Sequence, residues 1–212
     1  MGYIYIVLVK AHTLLGRMAR LTDPYEYTHI ALCPNEKLEH FYTFSRARHY
    51  TPFISGFMRE TMDCYAYGRY KSVKLKIFKI PVSARQKAAV TDFVKETYLL
   101  RKEYCFNLYS ALTMKAFHGI SIPGAMNCMS FIGEVLRLSG AVPMDRPSNK
   151  YTIREMDELM TPYFLAEGEY TPKRVDSLHY MDPVNPLANI GSFVALNAKL
   201  IHRILGKNIH GK

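Results

Sequence analysis

The chain has 212 residues, 49% of them apolar, and a formal charge of +10 from 28 basic and 18 acidic side chains. That length and apolar content supply a real core and exclude a disordered or fibrous chain. The longest strongly apolar run, Ile4 to Val9, falls far short of the roughly 20 residues a bilayer span needs.

Tyr3 to Val9, rich in Ile, Val and Tyr, reads as a buried strand, and residues 12–27 read as a loop closing at Asp23-Pro24. Strands are expected at about 28–33 and 40–46, broken by Pro34-Asn35 and paired antiparallel. Residues 47–69 are aromatic and Gly-punctuated, and are expected to be irregular. From Ser72 to Ile80, Val73, Leu75, Ile77 and Phe78 stand against Lys74, Lys76 and Lys79, which predicts a strand with one wet face.

Ser83 with Gln86 forms a capping box, and Val90, Phe93, Val94, Thr97 and Tyr98 continue it as a helical stripe. Further helices are expected over 106–117, over 127–139, and after Thr152, whose partner Glu155 completes another capping box. Strands and helices are largely segregated, so the class is α+β. We place a main domain at 1–182 and a basic amphipathic helical extension at 183–212. No acidic residue follows Asp182, while Lys199, Arg203, Lys207 and Lys212 accompany Ile190, Phe193, Val194, Ala198, Ile201 and Leu205. Such a helix packs on its own domain, lies on an anionic membrane or docks on a partner.

No basic segment precedes the first apolar run, no small-residue cleavage site clearly follows it, and Ile6 stands where N-myristoylation needs Ser or Thr. A soluble, cytoplasmic protein is expected. Cys33, Cys64, Cys105 and Cys128 form no CxxC pair, so reduced thiols are expected, with no metal and no cofactor. The positive charge suits anionic surfaces or substrates. It is spread along the chain without a helix-turn-helix, zinc-finger or RNP pattern, so nucleic acid is not an expected partner.

Cys128 is the nucleophile candidate. From it the apolar residues fall at Phe131, Ile132, Val135 and Leu136 until Gly140 ends the run, which puts a thiol in the first turn of an amphipathic helix. The partial positive charge at that terminus stabilises a thiolate. A thiolate nucleophile needs a base, and of the eight histidines only His29 stands squarely in an expected strand. Alternation puts His29, Ala31 and Cys33 on one face. Matching the bulky Tyr42 and Phe44 to Ile30 and Leu32 then sets Thr43 and Ser45 beside His29 and leaves His40 on the other face. The histidine face would be lined with small side chains, with room for a helix terminus or a substrate, and a polar group there would orient the imidazole.

A Tyr-Thr-His strand, a Phe-Tyr-Thr-Phe-Ser-Arg strand, GFMRE (56–60), Tyr104 to Asn107, NCMSFIGEVLRLSG (127–140) and TIREMDEL (152–159) occur in that order. Over roughly residues 3–165 this order resembles the circularly permuted papain-like enzymes, the YiiX-like and lecithin retinol acyltransferase-like relatives of the NlpC-type cysteine peptidases. The resemblance implies a small antiparallel sheet or barrel packed on a helix that opens with the nucleophile. It also implies Cys128 as nucleophile, His29 as general base and Thr43 as the orienting residue. The implied activity is a cysteine hydrolase acting on a peptide or amide bond through a thioester. A lipid acyltransferase or thioesterase with the same thiol, or a binding module that keeps the fold, are the alternatives.

Overall fold

The first apolar run forms β1 (Gly2–Val9) at the middle of a sheet and is buried on both faces from Ile4 onward, as its unbroken hydrophobicity requires. The structure is a computed structural model and describes residues 2–13, 16, 20, 24–67, 70–172 and 179–209. Of the expected 12–27 loop, residues 14, 15, 17–19 and 21–23 lie outside the described residues, as does Lys212 of the tail.

With β2 (His29–Cys33), β3 (Phe41–Arg48), β4 (Thr51–Glu60), β5 (Val73–Val82) and β8 (Phe164–Tyr170), β1 makes one six-stranded antiparallel sheet in the order β4-β3-β2-β1-β5-β8. Two-residue strands β6 (Cys105–Phe106) and β7 (Ala125–Met126) pair in parallel beside it. The helices are α1 (Ala84–Leu99), α2 (Leu108–Phe117), α3 (Cys128–Ser139), α4 (Ile153–Met160) and α5 (Pro186–Ile209). The class is α+β. Both expected capping boxes form, at Ser83 with Gln86 and at Thr152 with Glu155.

Two apolar clusters flank the sheet. Ile4, Ile6, Leu8, Ile30, Leu32 and Phe44 face α3, where Phe131 packs against Phe44, Phe57 and Phe93 with ring centroids 5.4–5.8 Å apart. On the opposite face Tyr5, Val7, Val9, Ala31, Cys33 and Phe41 form a second cluster, closed by Tyr65. Gly133 lets the Ser148–Lys150 turn lie directly on α3, since a Cβ there would overlap the Ser148 carbonyl.

Two expectations are corrected and one strand is added. Residues 51–60, read as irregular, form the longest hairpin partner of β3, joined to it through His49-Tyr50. Their small and aromatic composition hid a strand that is half-buried along most of its length. β8 was also missed, because its polar FLAEGEY alternates only weakly and owes its place to pairing with β5. Finally, β5 has no single wet face. Its first half buries Val73, Leu75 and Ile77 in the second cluster, and its second half buries Phe78, Ile80 and Val82 in the first. Lys74 and Lys76 meet Glu26, Glu167 and Asp157 instead of bulk water alone.

α5 packs on β4 and β6, burying Leu196 and Leu200, so the basic tail lies on the same body as the sheet. Among the described residues no helix is long and apolar enough to cross a membrane.

Candidate active site

Cys128 is the first residue of α3, where the sequence pattern places it. Asn127 is extended and acts as N-cap: its Oδ1 accepts from the Ser130 amide at 2.8 Å, while Ser130 Oγ accepts from the Asn127 amide at 2.9 Å. The Phe131 amide donates to the Asn127 carbonyl at 3.0 Å. The amides of Cys128 and Met129 therefore open the helix with no intrahelical acceptor. Gly140 ends it at φ 57°, in the left-handed region that favours glycine. The approach to Cys128 is fixed by the β6–β7 pair and by the Asn107 amide, which donates to Met126 at 2.8 Å.

His29 opens β2. Its Nε2 lies 3.0 Å from Glu60 Oε2, and both side chains are nearly closed to solvent, at 12% and 4% exposure. Glu60, the last residue of β4, also accepts from the Tyr65 hydroxyl at 2.6 Å and from the Ser45 hydroxyl. With Nε2 committed to Glu60, Nδ1 is the nitrogen left for the thiol. The Cys128 thiol interacts with the His29 ring, and all three side chains line one cavity of about 390 Å³. Phe106, Met114, Met129 and Ile153 supply apolar wall, while Arg46 and Arg154 stand in its lining as cations.

The electrostatics follow from this burial. Desolvation alone would lower the His29 pKa, but the Glu60 charge, followed by the Cys128 interaction, raises it to about 10. Burial pushes the Glu60 carboxyl upward, and the His29 charge with hydrogen bonds from His29, Ser45 and Tyr65 overrides this and holds it below the ordinary carboxylate value. The resting pair is imidazolium and carboxylate.

The structure thus brings Cys128 and His29 together and sets Glu60, rather than Thr43, against the imidazole. Thr43 is fully buried, and its hydroxyl donates to the Ile30 carbonyl at 2.9 Å. The parity reading itself holds: Leu32 pairs with Tyr42, so Thr43 and Ser45 do share the face of His29. That face is not open, however. Tyr65 meets the His29 ring edge-on at 5.7 Å and the Phe41 ring at 5.3 Å. Nor does the cysteine helix lie on it. α3 packs on the Ile30 and Phe44 face, and the thiol meets the ring because His29 is the terminal residue of its strand. His40 lies apart, 2.7 Å from an Arg59 guanidinium nitrogen.

Glu60 stands at the end of GFMRE, and a signal for it existed. Reading residues 51–60 as the hairpin partner of β3 puts Glu60 on the face of Phe41 and the histidine, and the register shift between Arg46 and Arg48 sets it opposite Phe41. Two expected results follow. Thr43→Val should lower stability by about 1 kcal/mol through the lost hydrogen bond and change kcat/KM less than about twofold, a split read from thermal melts beside steady-state kinetics. Limiting iodoacetamide at neutral pH should label Cys128 ahead of the other thiols, as peptide mapping by mass spectrometry would show. Burial pushes Cys33 and Cys105 upward in pKa and Cys64 up to about 12, so these three stay protonated and inert. All four cysteines are free.

Among the described residues no group of three or more His, Cys, Asp or Glu side chains is placed to hold a metal ion. Compared with protein-family models, with curated proteins and with solved structures, the chain finds no match.

Proposed function

We propose that the protein is a cysteine hydrolase of the permuted papain-like kind, acting on an amide or peptide bond. The observation that carries this reading is the buried line from Glu60 through His29 to Cys128 along one cavity wall. In the proposed cycle the Cys128 proton resides on the His29 imidazolium, and the sulfur attacks the substrate carbonyl carbon, whose oxygen takes up negative charge. The Cys128 and Met129 amides are the donors nearest to hand for that charge. As the tetrahedral intermediate collapses, the carbon–nitrogen bond breaks and the His29 imidazolium protonates the departing amine. The neutral imidazole then takes a proton from water, whose oxygen attacks the thioester, and the carbon–sulfur bond breaks to release the acid and return the sulfur to its place beside the imidazolium. Glu60 holds the ring in place and keeps it charged until the leaving group needs its proton.

The apolar wall built by Phe106, Met114, Met129 and Ile153 favours one second reading, in which the same thiol takes an acyl group from a lipid or thioester and passes it to water or another acceptor. Intact-mass spectrometry tests both. Incubation with a panel of acyl amides, acyl thioesters and phospholipids should leave an acyl mass on Cys128 that hydroxylamine removes and Cys128→Ala lacks. The donor that labels distinguishes amidase from acyltransferase chemistry, and no adduct from any of them would sink both readings.

A further inference from the structure

α5 has a second apolar stripe besides the one it buries. Leu196 and Leu200 turn inward, but Leu187, Ile190, Val194, Ile201 and Leu205 are between 47% and 78% exposed. Their spacings of three, four, seven and four set them along one side of the helix. From Leu187 to Leu205 the stripe runs about 27 Å, too extended to be a chance exposed side chain.

The stripe shares a rim with the catalytic cavity. Leu112 of α2 is 62% exposed and also lines that cavity, and one turn earlier the Tyr109 hydroxyl donates to Asn197 of α5 at 2.6 Å. On the other side Pro52 lines the cavity, and the next residue, Phe53, packs edge-on against Phe193 of α5 at 5.0 Å. Whatever covers the stripe therefore sits beside the cavity mouth.

Charge selects the occupant. No acidic residue occurs between Pro186 and Ile209, His202 is exposed beside the stripe, and the chain as a whole carries +10. A second copy of this face would bring two basic helices together, whereas an anionic lipid surface accepts the aliphatic stripe and is attracted by the net positive charge of the helix and the chain. We propose that α5 docks flat on an anionic membrane and that Leu112 and the cavity mouth face the bilayer with it. The membrane contact does not depend on the thiol chemistry.

Flotation of the full chain with vesicles tests this. Binding should be strong to phosphatidylcholine mixed with phosphatidylserine, weaker to phosphatidylcholine alone, and reduced by salt. Val194→Glu with Ile201→Glu should weaken binding at least about tenfold, and the milder pair Val194→Ser with Ile201→Ser should weaken it in the same direction. Melting curves confirm that the variants are folded. Cys128→Ala should bind as the wild type does, which separates docking from catalysis. Three outcomes would overturn the proposal: no binding of the wild type to phosphatidylserine vesicles, undiminished binding by the folded stripe variants, or a wild-type dimer in sedimentation velocity that the same substitutions convert to monomer.

Discussion

Cys128→Ala should lower kcat/KM by at least about 10³-fold while leaving stability within about 1 kcal/mol, because it removes the proposed nucleophile and only one sulfur atom of packing. Kinetics on the acyl donor that labels Cys128, beside denaturant titration, checks both halves. A variant that keeps more than a tenth of the activity would remove Cys128 from the mechanism. His29→Ala should be equally inactive but not equally stable. It leaves the Glu60 carboxylate buried without its cation, and losing one member of a buried pair costs about 3–5 kcal/mol. The cysteine variant is therefore the cleaner test of chemistry, and the histidine variant tests the buried pair.

The second large effect belongs to Glu60. Glu60→Gln keeps the shape and one acceptor but removes the charge that holds His29 protonated. We expect kcat/KM to fall about 10²- to 10⁴-fold. The alkaline limb of its pH profile, set near 10 in the wild type by the raised His29 value, should move down by about one to three units. The stability profile changes with the same sign. His29 has a folded pKa above its unfolded one, so its contribution is complete below about 6.5 and is lost as pH rises through about 10. Glu60 has a folded pKa below its unfolded one, so its contribution is present above the ordinary carboxylate range and is lost as pH falls through the lowered value. The wild type should therefore lose stability at both ends, and Glu60→Gln should flatten both slopes. An alkaline limb unmoved in Glu60→Gln would mean that Glu60 does not set the charge on His29.

Local pattern was enough for Cys128, because helix start, apolar stripe and Gly140 stop are all written within thirteen residues. It was also enough for His29 and the face parity of β2 and β3, since alternation is a property of the strand alone. Thr43 misled because parity names the face a side chain is on, not what it touches. Its hydroxyl met a backbone carbonyl on the neighbouring strand, while a carboxylate 31 residues from His29 reached the ring. That partner came from β4, whose irregular composition carries no strand period and whose place is set by its hairpin with β3.

By itself, then, the sequence determined the α+β class, the capped helices, the thiol at a helix start and the histidine on a strand, because each rests on periods and caps local to a few turns of chain. Tertiary structure alone decided that the two residues meet at a strand end from opposite faces of the sheet, that Glu60 lies against the His29 ring, and that α5 buries one stripe while exposing another. Those outcomes depend on strand order and on which buried charge finds a partner, and neither is encoded in the spacing of neighbouring residues.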